Sequence, residues 1–223
     1  MGFILNIDTA VQTSSVCLSK DDKPISIKIN PSQKDSSSWL HTVIDEIIKV
    51  NSLSFSDINA IAVSAGPGSY TGLRVGMAAA KGLCYALQKP LITINTLQMM
   101  AVAAINEPVD LLCPMIDARR MEVFTAVFNK NLNKILPETN CILNENSFQY
   151  LLDNHKILFF GNGSTKFQPL TKHQNAQFKE TEITAESMTK LSFEKLTRQE
   201  FADLAYSEPF YGKDFYSTVK QSL

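Results

Sequence analysis

Near the start of the chain, apolar residues fall in short runs. Residues 3–8 form one and 14–19 a second, while 24–30 sets Ile25, Ile27 and Ile29 between polar neighbours. A turn at Lys20-Asp21-Asp22-Lys23 joins the last two, so the pattern predicts strand, hairpin, strand. The spacing then changes: Leu40, Val43, Ile44, Ile47 and Ile48 fall on one helical face behind the candidate caps Ser36, Ser37 and Ser38. Residues 57–64 read as a buried strand, 73–88 as a helix, Leu91–Ile94 as a strand and 96–105 as a helix. Strand signals restart at 111–116, 121–128 and 135–143, followed by a helix at 145–153 and the strand Ile157–Phe160. Gly161-Asn-Gly-Ser164 reads as a turn, 168–184 as loop, and 185–195 and 198–206 as helices. Strands alternating with helices predict the α/β class.

Composition narrows the function classes more than the fold. The 223 residues carry 21 basic and 22 acidic side chains, a formal charge of −1. A chain that grips RNA unaided shows a basic face, because phosphate neutralisation supplies most of the affinity. No basic stripe is visible here. Cys17, Cys84, Cys113 and Cys141 stand apart, without C-x-x-C or zinc-like spacing, as reduced structural thiols do. The start Met-Gly-Phe-Ile-Leu-Asn-Ile-Asp lacks the basic region of a signal peptide. The uncharged stretch 90–106 is too short to span a bilayer, for which ~20 apolar residues are needed.

Gly66-Pro-Gly-Ser-Tyr-Thr-Gly72 is the strongest local motif. It enforces a tight bend after a strand, and Ser69 or Thr71 can cap the next helix. The N–H groups there could hold an anion, or the segment could be a plain turn. It is neither a Walker A loop nor G-x-G-x-x-G. Within the following helix Gly72, Gly76 and Ala80 recur every four residues, so another backbone can approach closely. That backbone is either the molecule's own sheet or another subunit. Asp8 and Thr9 end the first strand. Asp117-Ala-Arg119-Arg120 reads as a bend pinned by an Asp–Arg pair. His41, His155 and His173 are scattered, with no H-x-x-x-H, H-E-x-x-H or G-x-S-x-G, which argues against catalytic and metal-binding residues.

Taken together, Ile4-Leu-Asn-Ile-Asp-Thr9, Ser64-Ala-Gly-Pro-Gly-Ser-Tyr-Thr-Gly-Leu-Arg-Val-Gly76, Ala79-Ala-Lys-Gly-Leu83 and Asp117-Ala-Arg119 resemble the TsaB (YeaZ) family in order and spacing, over about residues 3–128. The resemblance implies an actin-like (ASKHA, ribonuclease H-like) α/β fold with two lobes, 1–100 and 101–223, the C-terminal tail packing back on the first. It implies a cytoplasmic, non-catalytic scaffold with TsaD and TsaE as partners, a homodimer when TsaD is absent. The complex transfers threonylcarbamoyl to the adenosine beside the anticodon of tRNAs reading codons that start with A, and tRNA is met only through the complex. No cofactor or metal is implied, beyond room for weak nucleotide binding. In TsaD two metal histidines follow the strand matching Leu91–Ile94; here those positions are Thr96 and Met100, neither a hard-metal ligand. Many family members begin the first helix with a histidine where this chain has Ser36, so that histidine's role does not carry over.

The expected partner interface is Leu40, Val43, Ile44, Ile47, Val75, Gly76, Ala79, Ala80 and Leu83. Asp8, Thr9, Gly66, Gly68, Ser69 and Thr71 are the candidates for nucleotide or phosphate contact. The rival reading is an enzyme: an ASKHA-type sugar kinase or a metallopeptidase-like hydrolase. A kinase would need a second glycine-rich phosphate loop, for which only Gly161-Asn-Gly163 is present.

Overall fold

The computed structural model describes residues 2–30, 32 and 36–212. The tail from Lys213 onward lies outside them.

The first lobe starts with β1 (Phe3–Asp8), β2 (Ser15–Lys20) and β3 (Lys23–Ile29), an antiparallel meander. Helix α1 (Ser36–Val50) follows, and β4 (Ile58–Ser64) then returns parallel to β1. Helix α2 (Tyr70–Leu87) leads to β5 (Leu91–Ile94), parallel to β4, and to α3 (Thr96–Ala103). The strand order is β3-β2-β1-β4-β5.

The second lobe repeats this plan. Strands β6 (Leu111–Asp117), β7 (Glu122–Asn129) and β8 (Lys134–Ile142) form a second meander. After the short α4 (Gln149–Leu152), β9 (Ile157–Phe160) runs parallel to β6. The short α5 (Ser164–Phe167) and β10 (Ala176–Phe178) complete it, in the order β10-β9-β6-β7-β8. Two five-stranded sheets of one topology, each covered by helices, make an actin-like α/β fold.

Each sheet is buried on both faces because its central strands are apolar at successive positions. On the front of the first sheet, Leu5, Ile7, Ile61 and Val63 pack against Leu40, Ile44 and Ile47 of α1 and Met77 and Ala80 of α2. Behind it, Ile4, Ala60, Ala62 and Ile92 meet Met188 and Leu191. Those two belong to a 3-10 turn (Ala185–Met188) and to α6 (Thr189–Arg198), so the segment from Ala185 onward returns to the first lobe. Helix α3 packs between the sheets: Leu97 and Met100 join Leu112, Phe128 and Phe160 of the second, while Met99 joins the back core of the first. The second sheet proper spans 111–178, and a cut at residue 100 would pass through α3.

Two helices expected from the sequence shrink or vanish. The segment 145–153 keeps one helical turn, because Phe148 sits at a left-handed φ of 64° and its ring is buried against Phe159 and Phe167. No helix forms over 198–206. Gln199 ends α6 at φ 56°, and Ala202 N–H then donates to Leu91 O at 2.8 Å, so a tertiary bond replaces local helix formation. Both α5 and β10 lie in stretches read as turn and loop.

Candidate functional site

The lobes face each other across an open cleft of about 2230 Å³, lined by Thr9, Gly68, Thr71, Arg119, Asn162 and Tyr211 among others. Asp8 ends β1 beneath this cleft and is fully buried. Its Oδ1 accepts from Ser64 Oγ at 2.6 Å and from Ala10 N–H at 3.0 Å, while Oδ2 has no hydrogen-bond partner. Burial pushes the carboxyl up to about 6 against the pull of those two hydrogen bonds.

Thr9 Oγ1 donates to Gly72 O at 2.6 Å, tying the strand end to the start of α2. Ser69 caps α2: its Oγ accepts from Gly72 N–H at 3.3 Å. Ser69 N–H itself donates to Ala10 O at 2.8 Å, and Gly66 N–H to Thr96 Oγ1 at 3.1 Å. The N–H groups of Gly66, Ser69 and Gly72 are therefore bonded within the chain. A Cβ on Gly68 would stand 2.5 Å from Ala10 O, and one on Gly72 only 1.9 Å from Thr9 O. The loop is a joint in which two backbones touch. Thr71 is exposed and lines the cleft.

Across the cleft, the expected Asp117–arginine side-chain pair does not form. Asp117 Oδ1 accepts from Lys166 Nζ at 2.6 Å and from the Arg119 backbone N–H at 2.6 Å. Burial raises its carboxyl, but the Lys166 hydrogen bond, the Arg119 N–H and the charges of both residues outweigh it and hold it below the usual carboxylate range. Arg119 and Arg120 take φ of 67° and 49°, a left-handed pair that turns both side chains outward at the cleft mouth.

The expected partner seam needs correcting. Leu40, Val43, Ile44 and Ile47 are all at most 4 % exposed, spent on the first lobe's own core. Gly76 faces inward as well: a Cβ there would stand 2.3 Å from Thr9 Oγ1 and 3.4 Å from Val63. Ala79 and Ala80 are buried, whereas Val75 and Leu83 are half-buried. The small residues thus let α2 approach β1 and β4 of its own sheet. Helical geometry fixes the opposite face at Ala78, Gly82, Tyr85 and Ala86, all exposed, Tyr85 at 80 %. A Cβ on Gly82 would meet nothing within 4 Å.

The family model "TsaD: tRNA N6-adenosine threonylcarbamoyltransferase" matches residues 29–209. The Bacillus subtilis tRNA threonylcarbamoyladenosine biosynthesis protein TsaB is 30 % identical over 165 residues, covering 73 % of this chain and 72 % of the relative. The chain belongs to the TsaB family. The TsaD match places TsaB chains within a wider family, and a TsaD from Clostridium perfringens is 46 % identical over 59 residues, covering 26 % of this chain and 17 % of its own. The Escherichia coli TsaB is 27 % identical and covers 93 % of both chains. Among solved structures, a Pseudomonas aeruginosa protein described as similar to peptidase YeaZ superposes with a TM-score of 0.85 at 20 % identity, covering 96 % of this chain and 100 % of its own. YeaZ from the same organism gives 0.81 at 21 %, covering 95 % and 100 %. These two support the fold.

In this TsaB-family chain, Thr96 and Met100 stand where the resemblance places histidines in TsaD. Thr96 is buried at the start of α3 with its Oγ1 bonded to Gly66 N–H, and Met100 is packed against Gly161. Among the described residues no three His, Cys, Asp or Glu side chains come together as metal ligands. His41 is exposed. Among the described residues, no helix is long and apolar enough to cross a membrane.

The sequence reading missed Lys166, Tyr211 and the outward face of α2. Lys166 lies in a helix too short to leave a periodic signal. The outward face could have been found by rotating the Gly72/Gly76/Ala80 stripe by half a turn, since a stripe spent on the sheet cannot also face a partner.

Proposed function

We propose that this chain works in tRNA threonylcarbamoyladenosine biosynthesis as a non-catalytic subunit that binds a TsaD-family chain and recruits TsaE to it. The observation that carries this reading is the fate of residues 96 and 100. Thr96 and Met100 carry no imidazole, and Thr96 is committed to the glycine loop and Met100 to the core. The B. subtilis and E. coli relatives are both named for tRNA threonylcarbamoyladenosine biosynthesis, and the family match to TsaD supplies the partner class.

The docking element is α2, through Ala78, Gly82, Tyr85 and Ala86, with the half-buried Val75 and Leu83 at its margins. Small residues at four-residue spacing let a second helix come close, and Tyr85 adds a large anchor. The same face serves a second copy when TsaD is absent. tRNA is reached through the complex, in keeping with the balanced charge of the chain. The reading places the protein in the cytoplasm, where tRNA is modified. Any nucleotide in the cleft binds weakly, since the loop N–H groups of Gly66, Ser69 and Gly72 are already satisfied.

The test is reconstitution: TsaD and TsaE with tRNA, threonylcarbamoyl-adenylate and ATP, with and without this chain. Modification should require the chain, while the chain alone turns over nothing. Gly82→Leu should keep the fold yet lose co-purification with TsaD. Full modification without the chain, or undiminished binding by Gly82→Leu, would remove this account.

A further inference from the structure

Residues 199–212 leave α6 and run back along the first lobe as a strap. Ala202 and Leu204 pack on the front core, and Ala202 N–H bonds Leu91 O. Asp203 Oδ1 then accepts from the N–H groups of Ala205 at 2.8 Å and Tyr206 at 2.9 Å, closing a turn. Phe210 N–H donates to Ala65 O at 2.7 Å. There the strap lies so close to the glycine loop that a Cβ on Gly66 would stand 2.0 Å from Phe210 O.

Arg74 and Lys81 are the two charged residues of α2, and the strap takes hold of both. Lys81 Nζ donates to Ala205 O and to Ser207 O, each at 3.1 Å. Arg74 Nε donates to Tyr211 Oη at 3.2 Å, while its guanidinium lies 4.4 Å from the Tyr70 ring centroid. The rings of Tyr70 and Tyr211 are 4.9 Å apart, closing the grip.

We propose that the strap keeps the outward face of α2 ready for its partner by fixing the helix's two charges in place beside it. This rests on the reading of α2 as the docking helix. A loose ammonium or guanidinium beside Ala78, Gly82 and Tyr85 would have to be stripped of water and immobilised when that face is covered. With Lys81 on two carbonyls and Arg74 between two tyrosines, both side chains are already immobilised before the partner arrives. The strap therefore acts as a positioning element, and whatever loosens it weakens docking without touching the docking residues.

The full chain carrying Phe210→Pro and Tyr211→Ala tests this, because it loses the bond to Ala65 and the acceptor of Arg74. Hydrogen exchange at residues 205–207 should quicken at least tenfold while α2 keeps its protection, which shows that the lobe still folds. Affinity for TsaD should fall roughly tenfold, as expected when two long side chains must be immobilised during binding. Adding Arg74→Leu and Lys81→Met should restore most of it. Unchanged exchange overturns the strap's hold on α2. Unchanged affinity, or a loss that neutralising the two charges fails to rescue, overturns the pre-ordering role. If the unmodified chain itself fails to bind TsaD, the docking reading falls while the exchange arm still decides the strap.

Discussion

Asp8 is fully buried with one carboxylate oxygen unpartnered, so its ionisation works against folding at neutral pH. Well below pH 3.8 both folded and unfolded chains hold the proton and the penalty is absent. As pH rises, the unfolded carboxyl ionises near its ordinary value of 3.8, while the folded one keeps its proton until about 6. Stability therefore falls between those values and stays lower above them, by about 3 kcal/mol at most. Asp8→Asn should stabilise the protein at pH 7.5 by about 1–3 kcal/mol in urea unfolding, and the gain should shrink towards pH 4 and be gone well below 3.8. A wild-type profile flat from pH 4 to 7 would contradict this. A second contrast concerns glycines of one helix. Gly76→Leu would thrust its side chain into Thr9 and Val63 and should abolish folding, whereas Gly82→Leu, with open space around it, should leave the melting temperature within a few degrees. Circular dichroism on both variants decides it.

At the scale of elements, the strands and the long helices α1 and α2 of the first lobe were legible because periodicity reports burial directly. Direction was not: α1 and α2 each show one apolar or small-residue face, and a single sequence does not say whether sheet or partner covers it. Leu40, Val43, Ile44 and Ile47 belong to the sheet, so Ile47→Ala should cost about 2–5 kcal/mol of stability and leave docking by the folded fraction unchanged. A binding defect with normal stability would return those residues to the interface. Around the cleft, Asp8, Thr9 and the glycine loop were singled out from their motif. Lys166 and the strap were not, because their partners lie far along the chain: Lys166 reaches back to Asp117, and Tyr211 to Tyr70 and Arg74. The loss of the expected helix at 198–206 has the same cause, a backbone bond from Ala202 to Leu91 outweighing local preference.

Across the whole molecule, the two sheets share one topology, yet their helices are exchanged between them. Helix α3 follows the last strand of the first sheet but completes the core of the second, where Leu97 and Met100 are buried beside Phe160. Helix α6 follows the last strand of the second sheet but covers the back of the first, where Leu191 lies against Ile92 and Ser192 Oγ donates to the buried Asn6 Oδ1 at 2.7 Å. Neither lobe can then open without exposing apolar surface of the other, at about 25 cal/mol for each Å². The lobes should unfold together. Trp39, the sole tryptophan, packs beside the first lobe's front core and reports that lobe alone, while far-UV circular dichroism reports both. In urea the two signals should trace one transition with a common midpoint. Met100→Ala, which cuts the bridge from α3 into the second core, should lower that midpoint for both probes equally. If the tryptophan signal instead holds while circular dichroism falls in two steps, the lobes are independent and the exchanged helices do not couple them.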